Sequence, residues 1–163
     1  MAFYFIKYLA QQTFSDMKNN FKNLQIIFLG LLIGQITFAV VANFMITNIA
    51  VSSTSILVYL VPAVMVSGIL SGNYLFNVSR KKTVARQGSI EDKFKAYRQS
   101  AIIRWAMMET GNLLAIVATF IEGKTFYFAM FAVGLLFFAT TRPSVDDFCR
   151  QFEIPEAEKN HLK

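Results

Sequence analysis

Residues 101–121 (AIIRWAMMETGNLLAIVATFI) set three polar side chains, Arg104, Glu109 and Asn112, inside a run apolar enough to cross a bilayer. About 20 helical residues at 1.5 Å rise span a hydrocarbon core of about 30 Å, so the run has the length of one crossing. Charge at that depth costs several kcal/mol unless it is paired, neutralised or snorkelled to an interface. Arg104 lies about one turn inside the run, near enough to snorkel along its own stem. Glu109, five residues on, is rotated about 140° from Arg104 on a helix, which disfavours an ion pair between them. Three kinds of chemistry stay open for Glu109. It can be a neutral acid hydrogen-bonded to Gln35, Asn73 or Asn112. It can pair with a base of its own bundle or of a partner subunit. Or it can load and release a proton or a cation. Glu109, Arg104, Gln35, Asn112 and Asn73 are thus expected to form one intramembrane polar cluster.

The elements that would hold such a cluster follow from composition and hydropathy. The 163 residues are 55% hydrophobic, 15% aromatic and only 16% charged, against about 25% charged in an average soluble domain. The apolar residues gather into spans at about 24–46, 56–77, 101–121 and 125–141. They are preceded by a segment, 1–23, in which Phe3, Ile6, Ala10, Phe14, Met17 and Phe21 recur at helical steps between lysines. That pattern predicts an amphipathic helix lying at the membrane interface or packed on the end of its own bundle. Gly30 and Gly34 in the first span, and Gly68 and Gly72 in the second, form small-residue faces that let helices approach closely in lipid. Thr47 to Ser55 reads as a polar turn. Ser89 to Asp92 and Ser144 to Asp147 resemble capping boxes, which start the third helix near Ile90 and a short helix carrying Phe148 and Phe152 on one face. Residues 142–163 form a charged tail.

The basic residues are unevenly placed. Lys7, Lys18 and Lys22 precede the first span; Arg80, Lys81, Lys82, Arg86, Lys93, Lys95, Arg98 and Arg104 lie around the central loop; Arg142, Arg150, Lys159 and Lys163 follow the last span. Lys124 alone falls on the opposite turns. This asymmetry predicts that both termini and the central loop are cytoplasmic, with Arg80, Lys81, Lys82 and Arg86 poised for lipid headgroups. The net charge of +6 is therefore a topology signal, and no nucleic-acid partner is expected. A single cysteine, Cys149, excludes an intramolecular disulfide, and His161 stands without metal-ligand spacing. No cleavable signal peptide is expected, since the first apolar run is longer than a signal core. No phosphate-binding glycine loop or nucleophile–base set is present, so no catalytic residue, no metal and no cofactor is assigned.

The two hairpins echo each other. Gly34-Gln35-Ile36 matches Gly111-Asn112-Leu113, and Gly72 to Arg80 (GNYLFNVSR) matches Gly134 to Arg142 (GLLFFATTR), as a duplicated hairpin would. Residues 106–120 resemble the carboxylate-bearing helix of rotary ATPase proteolipid subunits, whose duplicated form also has four spans; the chain departs in having 17 phenylalanines and 8 glycines where those helices are dense in Gly and Ala. Four-span small multidrug transporters, with one membrane glutamate, are similar in outline but are shorter and carry it in the first span. The pattern of Gly34-Gln35, of Arg104 to Val117, and of Thr141-Arg142-Pro143-Ser144 resembles small uncharacterised four-span bacterial inner-membrane proteins. That resemblance implies a fold and no activity.

The expected fold is an all-α membrane protein: a four-transmembrane-helix bundle with cytoplasmic termini, an N-terminal amphipathic helix and a multi-pass location in the inner (plasma) membrane. The expected function is a non-enzymatic accessory or self-assembling subunit. It would act through lipid, anionic headgroups and a membrane-protein partner or a second copy. The alternative is a small proton- or cation-coupled transporter using Glu109.

Overall fold

A computed structural model describes residues 2–45, 56–156 and 159, with side chains from Met17 onward. The described residues form five helices and no strand: α1 (Ala2–Met45), α2 (Leu57–Ala85), α3 (Ile90–Glu122), α4 (Thr125–Thr140) and α5 (Val145–Gln151). Three of them, α1 from Met17, α2 and α3, are long and apolar enough to cross a membrane. α4 has 16 residues, about 24 Å of rise, and falls short of a full crossing alone. It reaches that length only as a pair with α5, across a bend of 74°. The expected turn at 47–55, the side chains of Phe3 to Phe14, and His161 lie outside the described residues.

α3 is the central helix and packs on α1, α2 and α4. Its ends are set by local chemistry. Ser89 caps the start: its Oγ accepts the Asp92 amide at 3.2 Å, and the Asp92 carboxylate accepts the Ser89 amide at 3.2 Å. The expected box is therefore present with Asp in the usual Glu place. At the far end Gly123 takes φ 66°, a left-handed cap that glycine adopts without a Cβ clash, and its amide bonds Thr119 at 2.8 Å. Ser144 caps α5 in the same manner, accepting the Asp147 amide at 3.1 Å.

Two cores lie along the bundle. One, at the end that carries the basic loop, is aromatic: Phe21, Phe28, Phe76, Phe94, Tyr97, Trp105, Phe138, Phe148 and Phe152 are buried together. Phe28 stacks on Phe138 at 5.1 Å between centroids, and Phe94 meets Phe148 edge-on at 5.7 Å; such pairs add about 0.5–1.5 kcal/mol each beyond area burial. The other core sets Ala39, Ala42, Ala115 and Ala118 among Val61, Met65, Ile116, Tyr127 and Phe131. The chain visits the two cores alternately, so consecutive long helices run in opposite directions.

The N-terminal segment, read from the sequence as a helix at the membrane interface or packed on the end of its own bundle, is continuous with the first apolar run. α1 passes through residues 23 and 24 without a break. No Gly or Pro occurs before Gly30, and Met17, Phe21, Leu24 and Phe28 continue a single buried stripe. Phe21 lies 4.8 Å from Phe94 and 5.6 Å from Phe148, so from Met17 on the helix is part of the bundle.

Candidate functional site

The polar residues expected in one cluster fall into three places. Gln35 and Asn112 meet: the Asn112 amide donates to Gln35 Oε1 at 2.8 Å, with both side chains buried. The pair ties α1 to α3 where the hydrophobic effect presses little. Close backbones make room for it. A Cβ on Gly111 would sit 2.8 Å from Met65 Cα on α2, and one on Gly134 would overlap Asn112 Oδ1 from α4.

Glu109 stands apart from that pair. It is half-buried, and no hydrogen bond or ion pair joins it to Gln35, Asn73, Asn112 or any other described residue.

Arg104 and Asn73 make the third place, at the basic end. Arg104 is 8% exposed, a departure from the expected snorkelling. Its guanidinium lies over the Phe76 ring, 4.3 Å from Cζ to centroid, and Nη2 donates to the Thr141 carbonyl at 3.4 Å. Two features bury it. Gly72 lets α2 approach until a Cβ there would touch Arg104 at 3.2–3.4 Å, and α5 folds back across the end of α4. Trp105, beside it, donates to Thr141 Oγ1 at 3.0 Å, which fixes the exit of α4 against α3.

Arg104 lines two grooves. The wider, about 700 Å³, opens between the end of α4 and the residues of α5, and mixes Arg142 and Lys159 with Asp146, Asp147 and Glu156. Several of its charges pair with one another. Lys159 bonds Glu156 at 3.1 Å and Asp146 at 3.5 Å; the Glu156 carboxylate, with Asp146 adding, holds its ammonium above the ordinary lysine range. The narrower groove, about 480 Å³, lies between α2 and α5: α2 gives Asn73, Asn77 and Arg80, α5 gives Arg150 and Gln151, and Arg104 and Phe76 complete it. Among the described residues no acidic one lines it.

The small-residue faces also divide. A Cβ on Gly68 would lie 2.5 Å from the Met107 carbonyl oxygen, so Gly68 and Gly72 serve packing of α2 on α3. Gly30 and Gly34 have nothing within 4 Å of that position; no described residue packs on their face. Of the four residues expected at lipid headgroups, Arg80 is half-buried in the narrow groove, while Lys81, Lys82 and Arg86 are exposed and outside it. Arg150 and Gln151 were not singled out from the sequence. Ser144, Phe148 and Phe152 signalled the helix that carries them, but not where it docks.

At the opposite end Glu122 is buried, accepts the Tyr127 hydroxyl at 2.7 Å and pairs with Lys124 at 3.0 Å, which locks the α3–α4 turn. Among the described residues no group of three metal-ligating side chains occurs. No family model, curated protein or solved structure matches the chain, so the residues themselves carry the functional reading.

Proposed function

We propose that the protein is a multi-pass membrane protein that works by association, as a non-enzymatic accessory subunit or as a self-assembling one. Four crossings, with α4 completed at its bend, would leave both termini and the α2–α3 loop on the cytoplasmic side of the inner membrane, where the basic residues gather. The observation that carries association is the open face at Gly30 and Gly34. It is flanked by Ile26 and Ile33, 65% and 59% exposed, and no part of the described chain covers it. Small residues one turn apart on a lipid-facing helix let a second helix approach to backbone contact. Crosslinking in native membranes, followed by purification in mild detergent and mass analysis, tests this. A partner chain or a second copy at fixed stoichiometry is expected, and a strictly monomeric, partnerless protein would contradict it.

A second reading rests on Glu109. A half-buried carboxyl at span depth, with no partner among the described residues, suits either an interface residue or a proton-loading one. Glu109→Gln separates them: proton flux in liposomes that disappears with the substitution supports a pathway, and assembly that weakens without any flux supports an interface.

A further inference from the structure

We propose that the groove between α2 and α5 binds a phosphate group, either the phosphodiester of an anionic lipid headgroup or a soluble phosphate. Its donors lack acceptors. Arg104 Nε is buried without a hydrogen-bond partner, and Arg104 forms no ion pair with any described carboxylate. Its Nη2 contact to Thr141, at 3.4 Å, is long. Arg80, Asn73 and Asn77 line the same groove and make no hydrogen bond or ion pair among the described residues. The nearest carboxylate chemistry, Asp147, is already engaged: Arg150 donates to it at 2.8 Å and Gln151 at 2.6 Å. Among the described residues the groove thus gathers two guanidinium groups that make no ion pair, an exposed third that is paired with Asp147, and two amides without hydrogen bonds, with no acid in the lining.

A guanidinium nine-tenths buried with an unpaired nitrogen is costly unless an anion completes it. Forked guanidinium donors match the oxygens of phosphate in a way a lone ammonium does not. The neighbouring wide groove is the internal contrast: it mixes acids with bases, and Lys159 and Arg150 there are paired with Glu156, Asp146 and Asp147. The position suits a headgroup, since the lining residues of α2 lie where its apolar run gives way to Arg80, Lys81 and Lys82. This inference does not depend on the Gly30–Gly34 face.

The test is native mass spectrometry of the full chain in mild detergent with phosphatidylglycerol or phosphatidylcholine, repeated with inorganic phosphate as competitor. Preferential phosphatidylglycerol binding is expected, weakened about tenfold by Arg80→Gln, the effect of losing one charge-assisted contact. The double variant Lys81→Gln/Arg86→Gln removes as much charge or more from exposed positions outside the groove, and should change binding by no more than about twofold. Arg80 is half-buried on a helix surface, so its variant should fold; a thermal-unfolding midpoint equal to wild type confirms that. Displacement by millimolar phosphate would assign the groove to soluble phosphate, and failure to displace would assign it to the lipid headgroup. Equal binding of the two lipids with no phosphate binding would overturn the proposal. So would a loss in the double variant as large as that in Arg80→Gln.

Discussion

The two glycine faces of this protein share a spacing and have opposite fates. Gly68 and Gly72 on α2 are closed by α3, where backbone meets backbone at Met107 and Arg104. Gly30 and Gly34 on α1 meet nothing. A small-residue step therefore reports the capacity for close approach, and the other helices decide whether that capacity is used within the chain. α3 makes the most extensive packing, on α1, α2 and α4, and α2 has taken its closest face. α1 reaches α3 instead through Phe28 on Trp105 and Gln35 on Asn112, which turns its glycines away.

Substitutions grade this contrast. Gly68→Ala places a methyl 2.5 Å from a backbone oxygen that cannot rotate aside; a loss of about 3 kcal/mol, the upper end of overpacking costs, is expected in reversible unfolding in detergent. Asn112→Leu removes the donor to Gln35 and should cost about 1–2 kcal/mol, while Gln35→Leu/Asn112→Leu together should cost less than the sum of the singles. Gly72→Ala meets the Arg104 backbone oxygen and Cα at 3.2 and 3.3 Å and should cost about 1 kcal/mol, because the overlap is smaller than at Gly68 and α2 need part from α3 by only a few tenths of an ångström. Gly34→Ala enters open space and should leave the fold unchanged or stabilise α1 by about 0.5 kcal/mol through helix propensity. If Gly34→Ala destabilised the isolated chain as much as Gly68→Ala, the contrast between the faces would fail.

Much of the architecture is written in local signals. Ser89 with Asp92, and Ser144 with Asp147, announce the starts of α3 and α5, because a cap is a contact across three residues and needs no knowledge of the fold. The meeting of Gln35 and Asn112 was within reach for a different reason: both lie in apolar runs at similar depth, and each buried amide needs a partner. What stayed hidden depends on docking. Arg104 could be placed one turn inside a span, but its burial requires α5 to fold across the end of α4, which no residue of α3 reports. The continuity of α1 was obscured by lysines at 18 and 22 that break the apolar composition without breaking the helix. Glu109 was recognisable as an anomaly; Asn112 donates to Gln35 rather than to Glu109, a choice of partner that depends on how α1 docks on α3.

The most direct test of association is a photo-crosslinking amino acid placed in native membranes at Ile33, beside the open glycine face, and in parallel at Leu136, 69% exposed on α4. Association through α1 requires discrete protein adducts from position 33, lost when Gly34→Leu is added, and only lipid adducts from position 136. Lipid adducts alone from both positions would contradict it.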